Sequence, residues 1–177
     1  HSGIFLLDES GQWAVLRATN SEGGKRMLAR EHKLRVGRQG IVGYATSAGE
    51  ARLAVDVGAD AIHFRNPDLP ATRSELALPL IARGQVLGAL DVQSSEPNAF
   101  DEQEMAILRA LADQVAVALD NAQLYQSSVA ALSRVEAIQR EYVEAGWQRE
   151  TARRSGQVYQ YRGNGEVEAA LPAEAVE

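Results

Sequence analysis

Few residues in this chain could do covalent, metal or acid–base chemistry, and they are scattered. There is no cysteine. That excludes thiolate metal sites, disulfides, cysteine nucleophiles and thioether-linked chromophores together. The three histidines are His1, His32 and His63, and no two sit at metal-ligand spacing. We therefore expect no metal and no cofactor. Asp8 and Asp91 are candidates for a carboxylate pair, but nothing in the sequence brings them together. Asp91 alternates with Leu90 and Val92, so it faces the opposite side of its strand. A Gly-x-Ser-x-Gly nucleophile elbow is missing. Gly37-Arg38-Gln39-Gly40-Ile41-Val42-Gly43 opens a helix, and helix N-termini do hold phosphates. Its spacing fits neither the dinucleotide fingerprint nor the P-loop, so turn geometry and tight packing account for it better.

Binding chemistry is better represented. His63 and Phe64 offer a hydrogen bond and a stacking face, although Phe64 can equally pin a surface loop. Arg73 can fork onto a carboxylate or phosphate, and Glu75 nearby can instead neutralise it. Tyr44 places a hydroxyl at the rim of a short helix. Tyr44, His63, Phe64, Arg73 and Glu75 are thus the candidate ligand-binding residues. Their chemistry suits a small anionic or aromatic metabolite.

Short apolar runs separated by Gly and Pro must position these groups. Residues 3–8 and 13–19 read as strands joined by the turn Glu9-Ser10-Gly11-Gln12. The Asn20–Gly24 stretch reads as a loop, and Lys25 to His32 as a short helix with Met27 and Leu28 inward. A short strand is expected at 34–36, one or two helical turns at 40–46, and another strand at 52–57. Residues 76–81 and 86–92 form a late hairpin around Arg83-Gly84-Gln85. Pro79 marks an edge or bulge there, and Gly88 a bulge or a close backbone approach. Asp101 and Glu104 form a capping box, with Phe100 stapled to Met105. The helix they open carries Leu108, Leu111, Val115, Ala118, Ala122, Tyr125, Val129 and Leu132 in heptad rhythm. Ile107, Ala112 and Leu119 widen the first half, which should face the domain core up to about Leu119. The phase breaks after Leu132, and Gly146 should end the helix. A polar tail from 155 has a possible small hairpin around Gly163-Asn164-Gly165.

The chain of 177 residues is 45% hydrophobic, enough for a core. Its net charge of −6 argues against nucleic acid. No apolar run is long enough to span a membrane, and no signal-peptide pattern is present. His1 leads straight into an apolar run, as in a piece of a longer protein.

The order of these strings resembles a GAF domain over about residues 1–126. The matching strings are Gly3-Ile4-Phe5-Leu6-Leu7-Asp8, Gly40-Ile41-Val42-Gly43, Arg73-Ser74-Glu75-Leu76-Ala77-Leu78-Pro79-Leu80, Gly88-Ala89-Leu90-Asp91-Val92-Gln93-Ser94 and Phe100-Asp101-Glu102. The resemblance implies an α+β fold: an antiparallel GAF/PAS-like sheet with helices, followed by a long C-terminal signalling helix. It divides the chain into a domain at 1–126, a helical linker or coiled coil at 127–154 and a tail at 155–177. The helix that usually leads such a domain is missing. Asn98-Ala99-Phe100-Asp101-Glu102 departs from the pattern of cyclic-nucleotide-binding members, lacking the Lys and the spacing. The resemblance also implies a ligand pocket under irregular segments. The methionine sulfoxide reductases of this fold depend on cysteines, so no enzyme is expected here. What is implied is a sensory or regulatory module of a cytoplasmic, bacterial-type signalling protein. It would bind an unknown small molecule, or serve only as a dimerisation spacer, next to signalling domains such as a kinase. The homodimer would form through Leu111, Val115, Ala118, Ala122, Tyr125, Val129 and Leu132.

Overall fold

The computed structural model describes residues 1–58, 66–154, 158–161 and 167–170, with side chains for 1–58 and 66–147. Its elements are β1 (Ser2–Leu7), β2 (Trp13–Thr19), α1 (Glu22–Ala29), β3 (Lys33–Arg35), α2 (Gly40–Ala48), β4 (Arg52–Ala54), β5 (Ser74–Ala82), β6 (Gln85–Ser94), α3 (Glu102–Arg154), β7 (Val158–Tyr161) and β8 (Val167–Ala170). The chain divides into two compact units, His1–Gln123 and Leu124–Glu177. In the second unit β7 and β8 pair antiparallel, Val158 opposite Ala170 and Tyr161 opposite Val167.

The first unit is built on six strands in the order β3-β2-β1-β6-β5-β4. Every neighbouring pair is antiparallel. The strand period of two gives this sheet two apolar faces. One face packs Phe5, Ala14, Leu16, Ala77 and Ala89 against Met27 of α1 and Ile41, Val42 and Ala45 of α2. The other packs Leu76, Leu78, Leu80 and Leu90 against Ala112 and Ala116 of α3.

Local chemistry explains the joints. Asp8 closes the first turn by accepting from Ser10 Oγ and from the backbone N–H groups of Gln12 and Trp13. The capping box forms: Glu104 N–H donates to Asp101 Oδ1 at 2.7 Å and Asp101 N–H to Glu104 Oε2 at 3.0 Å. Phe100 and Met105 both pack on the α3-side core. Gly88 is a close approach: a Cβ there would lie 1.9 Å from the Phe5 carbonyl oxygen. Pro79 lies on β5 beyond the residues that β4 pairs, 75–77, so its missing N–H falls where that edge is open.

Four expectations are corrected. Gly23 and Gly24 belong to α1, capped by Ser21, rather than to a loop. They are there for space: a Cβ at Gly23 would strike the Asp68 carbonyl and one at Gly24 the Thr19 hydroxyl. Leu28 of that helix is half-exposed while Met27 is buried. The long helix does not stop at Gly146 but runs to Arg154. A missing methyl costs only about 1 kcal/mol, which neighbouring helix formers offset. Finally, the heptad positions of α3 do not all face the core before Leu119. Leu108, Ala112, Val115, Ala116 and Leu119 do, while Leu111 and Ala118 are exposed. The small Ala112 and Ala116, four residues apart, let α3 lie close on the sheet.

Candidate functional site

β5 and β6 run side by side through the sheet, and a register shift between Leu80 and Ile81 sets which residues face α1 and α2. Glu75 pairs with Gln93 and Ala77 with Asp91. Glu75, Asp91 and Gln93 therefore share the sheet face that carries Ala77 and Ala89. The first two are buried, at 5% and 1% exposure. Gln93 Nε2 donates to Asp91 Oδ2 at 2.7 Å and to Glu75 Oε1 at 3.3 Å. Thr72 Oγ1 donates to Gln93 Oε1 at 2.7 Å, which fixes the amide's orientation. His1 continues the β1–β6 ladder, accepting from Gln93 N–H at 2.8 Å, and its ring bonds Ser21 Oγ at 2.6 Å. Its Nε2 stands 3.9 Å from Asp91 Oδ2.

Two clefts open along the segment before β5, and Gln93 of this cluster lines one of them. One of 260 Å³ is lined by His1, Thr72, Gln93 and Ser94 among others. The second, 590 Å³, is lined by Asp56, Asn66, Thr72 and Arg73 among others. They share Leu69, Pro70 and Thr72 as a common wall. That wall is tied to α1. Asp68 takes ion pairs from both Arg26 and Arg30, and Asn66 Nδ2 contacts Met27 Sδ at 3.2 Å. A third cleft of 420 Å³ lies on the α3 side, lined by Leu78, Ile81 and Arg109 among others. No buried polar residue lines it, so the other two are the better candidates.

The sequence candidates fall in different places. Glu75 is in the cluster. Arg73 is not its partner: the Arg73 guanidinium is half-exposed and bonds Asp56 Oδ2 at 3.2 Å, on the wall of the larger cleft. Tyr44 sits on α2 with the Arg52 guanidinium 5.8 Å from its ring centre. His63 and Phe64 lie outside the described residues. Asp8 and Asp91 do not meet, because Asp8 is spent on its turn. Asp91, Gln93 and Thr72 were missed as site residues. Alternation signals Asp91 and Gln93; for Thr72 the sequence carries no signal.

Burial pushes the Asp91 carboxyl well above its ordinary value, and the neighbouring Glu75 charge pushes it further the same way. Its neutral form is thus favoured in the folded state. That contribution is fully present below about pH 3.8, the unfolded value, and is lost as pH rises through the higher folded value. Each unit between the two values corresponds to about 1.4 kcal/mol. His32 acts oppositely, since burial lowers its value and stability falls as pH drops below the unfolded 6.5. Comparing wild type with Asp91→Asn cancels the His32 contribution. Between pH 5 and pH 8 the urea midpoint of wild type is expected to fall relative to that of Asp91→Asn. Parallel curves would contradict the assigned environment.

Among the described residues no helix is long and apolar enough to cross a membrane. No group of three His, Cys, Asp or Glu residues among them could hold a metal ion.

The fold is shared with solved structures. The GAF domain of an Acinetobacter phosphoenolpyruvate-protein phosphotransferase is 25% identical, with a TM-score of 0.57 over 71% of this chain and 73% of that one. The corresponding domain from Coxiella burnetii is 23% identical, with a TM-score of 0.60 over 71% and 74%. The free methionine-R-sulfoxide reductase of Neisseria meningitidis, solved with its substrate, is 27% identical, with a TM-score of 0.50 over 63% and 61%. No curated protein sequence matches. The GAF domain family model matches residues 1–120. With that match laid on a six-stranded antiparallel sheet, this chain belongs to the GAF domain family.

Proposed function

We propose that this chain is a non-catalytic sensory module that binds a small molecule above β5 and β6 and passes its state along a dimeric α3. The observation that carries this is the pair of buried carboxyls, Glu75 and Asp91, bonded to Gln93, which lines one of two clefts with a common wall. A domain filled only by its own side chains has no use for two carboxyls at that depth. The wall is bonded to α1, so a ligand that moved it would also move the helical layer. Such a ligand shifts the module between states only by its differential affinity for them. The shared fold with GAF domains of two phosphotransferases supports a place in a multidomain signalling protein, next to an output domain such as a kinase. The reductase neighbours support a catalytic alternative, but this chain has no cysteine to supply the thiol chemistry that the family resemblance implies for them.

A spacer module that binds nothing is the second reading, favoured by the self-contained Asp56–Arg73 pair in the larger cleft. Native mass spectrometry of the full chain separates the two. The sensory reading predicts a dimer, about twice 19.1 kDa, with an added mass that denaturation releases. A dimer with no added mass, and no small molecule able to raise its melting temperature, supports the spacer.

A further inference from the structure

We propose that the 420 Å³ cleft between β5 and α3 is a further small-molecule site, and that it takes an α-amino acid with an apolar side chain. This goes beyond the sensory reading above. The cleft opens on the sheet face that α3 covers, opposite Glu75 and Asp91, and shares no lining residue with the two clefts before β5. It exists because its walls part. β4 is three residues long and pairs β5 at Glu75, Leu76 and Ala77. Among the described residues no strand flanks β5 on that side from Leu78 onward. Pro79 keeps that edge from taking another strand, having no N–H to offer. Farther along, Arg83 of the hairpin turn pairs with Asp120 of α3 at 2.9 Å and ties the two elements together. The chain that leaves α2 at Gly49 supplies Glu50 and Ala51 to the remaining wall.

The floor is apolar and the rim is charged. Leu78 and Ala112 are buried beneath it, while Ile81 is left 38% exposed, apolar surface that an occupant would cover. Glu50, Arg109 and Asp113 line the rim, and all three are exposed. None of these side chains takes an ion pair or hydrogen bond among the described residues. Arg109 and Asp113 stand four apart on one helix, a spacing that allows a pair, yet they do not pair. The charge set selects the occupant. A guanidinium forks onto a carboxylate. An ammonium brings three donors, which two carboxylates can accept. A zwitterion meets both demands at once, whereas an anion alone would face Glu50 and Asp113, and a cation alone Arg109. An apolar side chain would then lie on Leu78, Pro79 and Ile81. The volume falls within the range of about 300–1,000 Å³ typical of small-molecule sites. One wall is α3 and another is the segment that follows α2. A ligand that fits one spacing of these walls better than another would therefore bias it.

The test is calorimetry on the full chain with L-leucine, L-methionine and L-phenylalanine. Three further probes each lack one feature of leucine. Glycine has no apolar side chain, 4-methylpentanoate no amine and 3-methylbutylamine no carboxylate. At least one of the three amino acids is expected to bind and to raise the melting temperature by about 5 °C at roughly ten times its Kd. The three incomplete probes should bind at least about tenfold more weakly. Arg109→Ala, and Glu50→Gln combined with Asp113→Asn, should each weaken the amino acid at least about tenfold. All three positions are exposed, so these variants should melt as the unliganded wild type does. If one of them fails to fold, the other decides. Amino acids that do not bind, incomplete probes that bind equally well, or variants that bind normally would each overturn the proposal. An amino acid whose binding survives Arg109→Ala but is lost in Arg73→Ala lies on the other sheet face. That result would overturn this site and support the sensory reading instead.

Discussion

Alanine at Gly88 is expected to destabilise residues 1–123 by about 3 kcal/mol or more. The position sits on β6 opposite Leu6 of β1 and Leu80 of β5, in the middle of the sheet. A Cβ built there lies 1.9 Å from the Phe5 carbonyl oxygen and 2.9 Å from the Leu6 Cα. Both are backbone atoms of a strand held on its other side by β2, so neither can rotate away. Relief requires β1 and β6 to part, and both core layers hang on that pair, through Phe5 on one face and Leu90 on the other. Overpacking usually costs about 1–3 kcal/mol, and a clash with backbone belongs at or above the top of that range. Against a domain stability of about 5–15 kcal/mol, that removes a large share of it. Two controls set the scale. Gly84→Ala meets no atom within 4 Å but sits at φ +76°, so it should cost about 1 kcal/mol. Gly146→Ala also meets nothing and lies within α3, so it should favour the helix by about 1 kcal/mol. Urea unfolding followed by circular dichroism ranks the three. A Gly88→Ala midpoint equal to that of Gly84→Ala would show that the sheet centre yields more than this geometry allows.

The same hairpin shows how much the sequence discloses. Its existence and turn are plain from two apolar runs around Arg83-Gly84, and Gly88 is marked as unusual by being a glycine inside a strand. That Glu75 and Asp91 share a face is not plain, because it depends on one residue of register. Ala82 pairs with Gln85 and Ile81 with Val86, and continuing regularly would set Glu75 opposite Val92. The irregularity at Leu80/Ile81 moves the partner to Gln93 and turns both carboxyls to one face. Only the joint demand that Leu76, Leu78, Leu80, Leu90 and Val92 share a core could have located that shift beforehand. Arg73 misleads for a related reason. A charged residue two positions from Glu75 invites a local pair, yet strand alternation keeps residues two apart on one side only while the strand lasts. Arg73 lies just before β5, which begins at Ser74, and its side chain turns to Asp56 instead. Capping, by contrast, was fully legible, because the Asp101–Glu104 box needs only residues three apart.

Two glutamates on the outer face of α3, Val129→Glu with Leu132→Glu, are expected to raise the dimer Kd at least a hundredfold. The helix carries two apolar stripes rather than one. Met105, Leu108, Ala112, Val115, Ala116 and Leu119 turn to the sheet. Ile107, Leu111, Ala118, Ala122, Tyr125, Val129 and Leu132 keep three-, four- and seven-residue steps on a different side and are exposed. The second stripe begins within His1–Gln123 and continues past it without losing phase. A helix exposing that much apolar surface in register would be stabilised by a second copy, as proposed above, and the small Ala118 and Ala122 would let two such helices approach closely. Burying a Val or Leu is worth about 1.5–3 kcal/mol, and the double change removes two from each copy. A hundredfold change needs about 2.8 kcal/mol, so it is a conservative expectation. Both positions lie outside the first compact unit, so its melting temperature should not move. Truncation after Gln126 should likewise leave mostly monomer at tens of micromolar by light scattering. Past Leu132 the apolar residues Val135, Ile138 and Tyr142 rotate away from this stripe into phase with Leu124. In the proposed dimer, pairing strength would therefore be concentrated before the break, and a change of state above β5 and β6 would be read out where the helices exchange one stripe for the other. A full-length chain that is monomeric at those concentrations, or a double-glutamate variant that stays dimeric, would end this account of α3.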